Sequence, residues 1–208
     1  MASKKVIVGP YRCVFPTLAE PKSFVEGDAG KYGIKILIPK SDKAGYKKVL
    51  DFITDSVNEC GEWKANVKAQ VIKSAKDFDG GTNDYCLVKD GDLINEQRVN
   101  QDKTPVEAYA GNWVISASRK ASFGAPLVVG KDAQQIPAAM IDAIIQPGYH
   151  VNVQMSAYCY SKPKFGITLQ LQAVQLVKED AVFGRENPFG AVEEFNADEE
   201  DESEKVPF

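Results

Sequence analysis

The chain has 208 residues, 44% hydrophobic and 26% charged, with a formal net charge of −4. That balance is ordinary for a soluble globular protein, and the length suits one domain with a large core, or one domain plus a helical insertion. No apolar run approaches the roughly 20 residues that span a bilayer, and MASKKVIV is too short an apolar start for a signal peptide, so a membrane or exported protein is not expected. Cys13, Cys60, Cys86 and Cys159 are scattered, with no CxxC pair and with His150 as the lone histidine. This argues against a zinc site and predicts reduced thiols in a cytoplasmic protein.

Residues 5–15 (KVIVGPYRCVF) predict a first strand broken or bulged at Gly9-Pro10, which leaves the face of Tyr11 open. Residues 16–30 read as a loop. Residues 31–39 are a clear strand, with Tyr32, Ile34, Ile36 and Ile38 on one face and Lys31, Gly33, Lys35 and Leu37 on the other. Ser41 or Asp42 can cap a helix whose stripe is Tyr46, Val49, Leu50, Ile53, Val57 and Cys60. A second helical pattern runs through Trp63, Val67, Val71, Ile72, Ala75 and Phe78, giving a helical insertion over about 41–78. Its lysines 64, 68, 73 and 76 read as a solvated face. Residues 77–105 are turn-rich, strands resume over 107–118, and 127–129 is a short apolar segment. Ile136, Met140, Ile141, Ile144 and Ile145 suggest a short helix stopped by Pro147-Gly148.

The strongest β signal is a hairpin of 149–160 and 165–177. On its first strand Val151, Val153, Met155, Ala157 and Cys159 form an apolar face. His150, Asn152, Gln154, Ser156, Tyr158 and Tyr160 form a polar one. Matching both faces across the hairpin pairs Tyr160 with Gly166 rather than Phe165. Strands with inserted helices and no regular β-α alternation indicate a mainly β or α+β fold, or a partly open barrel, rather than a doubly wound sheet.

Aromatics on a polar strand face beside a basic loop suit a stacking platform for unpaired bases, with lysines following the phosphates. The candidates are Tyr158, Tyr160, Lys162 and Lys164, joined by Lys35, Arg119 and Lys120. Tyr11 and Trp113 are weaker candidates, Trp113 because it shares its phase with Ile115 and Ala117 and so favours the core. An enzyme reading would place Mg²⁺ on Asp77, Asp79, Asp84, Asp90 and Asp92, as a nuclease requires. Those residues sit in Asp-Gly turn sequences, and phosphate-loop and nucleophile-elbow motifs are missing. No cofactor, metal or catalytic residue is expected.

Residues 193–208 (EEFNADEEDESEKVPF) hold eight carboxylates against Lys205. The tail therefore carries −7, and residues 1–192 carry +3. Such a like-charge run predicts a disordered arm. Its apolar tip, Val206, Pro207 and Phe208, following Glu202 and Glu204, fits a peptide that docks into a partner's pocket while the carboxylates steer it towards basic surfaces. The same charges can compete with nucleic acid for the body's basic groove.

The acidic run closing on Val-Pro-Phe resembles the tail of bacterial single-stranded DNA-binding proteins. Here Val206 stands for a larger aliphatic residue, and Lys205 dilutes the charge. The body resembles a phage-encoded family of single-stranded DNA-binding proteins through CLVKDGDLI (86–94), YAGNWVISAS (109–118) and PGYHVNVQMSAYCYSKPKFGITLQLQAVQLVKED (147–180). The resemblance implies an OB-fold-like barrel over 1–192 and a structural role for the KDGD turn at 89–92. It also implies binding of single-stranded DNA without strong sequence preference, with a role in phage replication, recombination or repair. Replication and recombination proteins would be partners of the tail. The alternatives are a Mg²⁺-dependent nuclease and a phage structural or assembly protein with a docking tail. Homo-oligomerisation stays open.

Overall fold

In the hairpin strands, side chains that alternate apolar and polar can bury only one face, and that constraint bends the sheet into a barrel. The computed structural model describes residues 4–23, 27, 29–61, 63–78, 86–162 and 164–183. In chain order it contains β1 (Lys5–Lys22), β2 (Lys31–Pro39), α1 (Lys43–Asn58), α2 (Ala65–Lys76), β3 (Val88–Asp90) and α3 (Gly91–Asn100). There follow β4 (Asn112–Lys120), β5 (Leu127–Val129), α4 (Ile141–Ile144), β6 (His150–Tyr160) and β7 (Gly166–Lys178). The acidic tail, including Glu202, Glu204, Val206, Pro207 and Phe208, lies outside the described residues, as do Asp79, Asp84 and Pro163.

The strands form one sheet in the order β3-β4-β2-β1-β6-β7-β5, and a parallel contact of Ser118 with Gln170 joins β4 to β7. Strands β1, β2, β4, β7 and β6 thereby close into a five-stranded, OB-fold-like barrel with helices attached, as expected. Its interior is filled by Val8, Ile34, Ile36, Ile115, Val151, Val153, Met155, Leu169 and Leu171, each at most 2% exposed. Helix α1, capped by Asp42 whose side chain accepts from the Gly45 amide, adds Val49, Ile53 and Val57 to the same core. A second, smaller cluster lies outside β1, β2 and β4. There Val14, Leu37, Tyr109 and Val114 pack with Ile94, Val106 and Phe183.

The hairpin pairs Tyr160 with Gly166, as its alternation predicts. It also carries a feature that alternation does not reveal. The register steps from Gln154 opposite Ala173 to Met155 opposite Leu171, so Gln172 bulges. The bulge shifts the buried phase from Ile167, Leu169 and Leu171 to Val174 and Leu176.

Several expectations need correction. Residues 16–22, read as loop, continue β1 through two register shifts against β2, because a bulged strand tolerates Pro16 and Pro21. Residues 107–109 form a single 3-10 turn rather than the start of a strand. The turn-rich stretch contains α3, whose cap is Asp90: its side chain accepts from the amides of Asp92 and Leu93. Cys60 and Cys159, expected as thiols, are joined in a disulfide with a Cα–Cα distance of 6.8 Å. The end of α1 packs beside the end of β6, a meeting that a sequence separation of 99 conceals. Cys13 and Cys86 are buried thiols, and burial pushes Cys13 up to about 11.

Asp90 caps α3 and also pairs with Lys40 at 2.7 Å, with 14% of its side chain exposed. Asp90→Ala should therefore lower the unfolding free energy by about 1–2 kcal/mol, measured by urea denaturation. An unchanged midpoint would contradict this structural role for the KDGD turn.

Candidate nucleic-acid interface

The polar face of the hairpin continues across the barrel onto β4 and β2. Tyr158 pairs with Thr168, Ser156 with Gln170, Gln170 with Ser118, and Ser118 with Gly33. Where β4, β6 and β7 meet, a groove is lined by Lys31, Ser118, Lys120, Phe123, Tyr158, Tyr160, Lys162, Thr168 and Gln170. Among the described residues no carboxylate belongs to that lining. Tyr158 is 53% exposed and Phe123 58%, a large apolar area to leave in water without a ligand. The ring of Tyr160 lies over Gly166, where an added Cβ would fall 2.4 Å from Cζ. Glycine is required there by that close approach, and it fixes how the ring stands at the groove's end.

The charge pattern is unusual for a sheet. Lys22 pairs with Lys31, and Lys31 with Lys120, placing three exposed ammonium groups in one row across β1, β2 and β4. Like charges directly opposite one another destabilise a sheet. None of the three takes part in an ion pair among the described residues. Lys40, at the far end of β2, shows the contrast. Its ammonium meets both Asp90 and Asp92 at 2.7 Å, and it lies 5.2 Å from the Trp113 ring centre.

Four of the predicted residues, Tyr158, Tyr160, Lys162 and Lys120, thus share one groove. The others lie apart. Lys164 faces a separate hollow with Phe165 and α2. Lys35 sits between two rings on the outer face of β2: its ammonium donates to the Tyr109 hydroxyl at 2.9 Å and lies 5.4 Å from the centre of Phe15. Tyr11 donates to Asp42 at 2.6 Å, and burial, reinforced by that carboxylate, raises its phenol well above the usual range. Trp113 stacks on Tyr46 at 4.5 Å and packs against the main core, with its indole N–H buried and unpartnered among the described residues. These two rings are structural in position.

Arg119 is engaged within the protein. Its guanidinium donates to the carbonyls of Gly124, Phe123 and Leu171 and to Oε1 of Gln172. The fork that would clamp a phosphate instead holds the 3-10 turn at 121–123 and the bulge of β7. Phe123, Lys31 and Lys22 were not singled out in the sequence. Phe123 sits in a turn with no periodicity, and the lysine row exists only through strand register.

The family model described as Enterobacter phage Enc34 ssDNA-binding protein matches residues 4–206. The chain belongs to that family. Among relatives, protein p50 of Acyrthosiphon pisum secondary endosymbiont phage 1 is 30% identical over 200 residues, covering 92% of each chain. Among solved structures, the bacteriophage Enc34 single-stranded DNA-binding protein in complex with ssDNA matches with a TM-score of 0.62. That match has 24% identity and covers 86% of this chain and 89% of the other. The single-stranded DNA-binding protein gp2.5 of bacteriophage T7 matches with a TM-score of 0.51 at 18% identity over 100% of both chains. At these identities the structural likeness is one of fold. It agrees with the phage family resemblance seen in the sequence.

Arg119→Lys keeps the charge but loses the planar fork. It should lower stability by about 1–3 kcal/mol in denaturant unfolding, the scale of hydrogen bonds to a charged group. Full stability with weakened DNA binding would return Arg119 to a phosphate-contacting role.

Proposed function

We propose that this chain binds single-stranded DNA without strong sequence preference and serves phage DNA replication, recombination or repair in the cytoplasm of a bacterial host. The observation that carries the reading is the row Lys22, Lys31 and Lys120 beside an exposed Tyr158 in a groove lined, among the described residues, by no carboxylate. A polyanion relieves the mutual repulsion of the row, and its bases supply the aromatic surface that the tyrosine lacks. Family membership and the ssDNA complex of the Enc34 protein support the same reading.

In this arrangement Tyr158 stacks on a base, with Tyr160 and Phe123 at the groove's ends, while Lys31, Lys120 and Lys162 meet phosphates. Stacking uses the π-face common to all bases, and the groove's polar floor of Ser118, Thr168 and Gln170 is short-ranged, so discrimination between sequences is weak. Lys164 stands outside this groove and would meet DNA only beyond the hairpin tip. No reacting group is assigned to the protein. Asp90 and Asp92, the described members of the acidic set nearest a metal-binding pattern, are engaged by Lys40 and by the cap of α3.

Residues 1–192 are proposed as the binding body, with the helical insertion at about 41–78, and 193–208 as a separate acidic arm. Its carboxylates, including Glu202 and Glu204, steer the arm, and Val206, Pro207 and Phe208 dock into a replication or recombination protein. The net +3 of the body against −7 of the arm favours such a division of labour.

Tyr158→Ala should weaken oligo-dT binding by about 1–3 kcal/mol. Lys31→Ala and Lys120→Ala should each flatten the dependence of log K on log salt by about 0.7. Both are read by fluorescence titration at several salt concentrations, and unchanged affinity and slope would reject the groove. Deleting residues 206–208 should leave oligo-dT affinity intact while abolishing capture of phage or host replication proteins. Capture that survives the deletion would remove the tip from its role.

A further inference from the structure

The groove around Tyr158 does not end at β4. Its outer face continues along β2 and β1 as a strip of small side chains: Ser118, Gly33 and Thr17 form one registered row, and Ser116 lies two residues further along β4, opposite Lys35. At the far end stands Phe15, 55% exposed, in the β1 bulge between Val14 and Thr17. Its backbone has φ of 49°, a left-handed conformation rare for a bulky residue. Beside it the Lys35 ammonium is 5.4 Å from the ring centre, and Tyr109 meets the ring edge-on at 6.5 Å.

Three departures from what stability alone favours therefore lie on one path. A glycine occupies a strand interior, where a β-branched residue would pack better. A phenylalanine holds an unfavourable backbone conformation and leaves its ring in water. A lysine is kept next to that ring rather than extended into solvent. Small residues leave room above the strands, and the ring and the ammonium stand where that room ends.

We propose that the bound strand crosses this floor from the Tyr158 groove to a second stacking stop at Phe15, where Lys35 meets a phosphate. This rests on the reading of the chain as a single-stranded DNA-binding protein and extends the footprint beyond the groove. Tyr109 supports the site from behind, because its hydroxyl accepts from Lys35 and so aims the ammonium. The Lys35 of the sequence reading thereby joins the same track as Tyr158, at its opposite end.

Gly33 offers a direct test. Its φ lies outside the left-handed range, and an added Cβ would meet only Thr17 Oγ1 at 3.5 Å and the Ala117 carbonyl at 3.6 Å, ordinary contacts. Gly33→Val should therefore fold as well as the parent, shown by an unchanged or raised melting temperature, while standing up into the floor. Phe15→Leu keeps apolar bulk and removes the π-face. Oligo-dT of increasing length, from about 4 to 16 nucleotides, the range of OB-fold site sizes, is titrated against the full chain and both variants.

The expected result is that the parent gains affinity with length, whereas both variants lose about tenfold on the longer oligomers and bind the shortest one normally. Equal affinity of parent and variants at every length would overturn the second stop while leaving the groove reading intact. A loss in the variants that is the same at all lengths would also overturn it, since the site would then not be distal. A parent chain that binds no oligomer would overturn the functional reading itself, and this inference with it.

Discussion

The barrel depends on the seam between β4 and β7. Every other junction of the five strands is an antiparallel ladder, but this one is parallel and has a single registered pair, Ser118 with Gln170. A seam so short contributes few ladder hydrogen bonds, and the neighbouring bulge at Gln172 displaces one more residue. Arg119 compensates from the β4 side. Its guanidinium reaches the Leu171 carbonyl and the Gln172 side chain across the seam, and the Phe123 and Gly124 carbonyls on its own side. Gln172 then donates to the Ser156 hydroxyl at 2.8 Å, carrying the connection to β6. A planar group with five donors in a fixed fork suits this bridging, which a lysine cannot reproduce. Because Lys120 and Phe123 flank the fork in sequence, the interaction that closes the barrel also places two residues of the groove.

The fate of each cation follows from what surrounds it. Lys40 and Arg119 are drawn into the protein by carboxylates and carbonyls, and they serve the fold. Lys22, Lys31 and Lys120 face one another across three strands, and none of them forms an ion pair among the described residues. A net charge of +3 over residues 1–192 is modest, so under the proposed function the field that attracts a polyanion would come from this local arrangement. Sheet register concentrates charge more effectively than composition does.

Much of the barrel was legible in the sequence, because period-two alternation fixes faces wherever one side is buried. The pairing of Tyr160 with Gly166 and the inward set on β2 followed from it directly. What escaped depends on interruptions of that period. Pro16 and Pro21 hid the second half of β1, since bulges accommodate prolines that a regular ladder rejects. Helix α3 escaped because Gly91, Asp92, Asn95 and Asn100 are turn-forming residues, and only Ile94 of the helix packs into a hydrophobic cluster. The disulfide of Cys60 and Cys159 joins elements whose proximity exists only in three dimensions. At the candidate site, strand phase put Tyr158 and Tyr160 on one polar face, and the basic loop and strand end beside it supplied Lys162 and Lys120, which line the same groove. The phase that Trp113 shares with Ile115 and Ala117 already favoured its packing against the core, whereas the bonds of Tyr11 to Asp42 and of Arg119 to nearby carbonyls were hidden, because phase says which way a side chain leaves a strand and not which polar group awaits it there.

The features of the outer face are most informative taken together. On the inner face local preference and packing agree: β-branched and aliphatic residues alternate regularly and are almost wholly buried. Across the barrel wall the preferences are broken repeatedly, by opposed lysines, by a glycine in mid-strand, by exposed aromatics and by a phenylalanine at positive φ. Any one of these occurs in proteins without consequence. Their concentration on one continuous surface is different, because each costs stability that the few contacts there, such as those of Phe15 with Tyr109 and Lys35, return only in part. An extended, anionic, aromatic ligand would offset all of them at once, neutralising the lysines, occupying the space above the glycine and covering the rings. A compact protein partner would not need a floor of small residues, and a simple anion would not need the rings. Under the proposed function, the pattern of local frustration would thus narrow the shape and chemistry of the ligand more than any single side chain does.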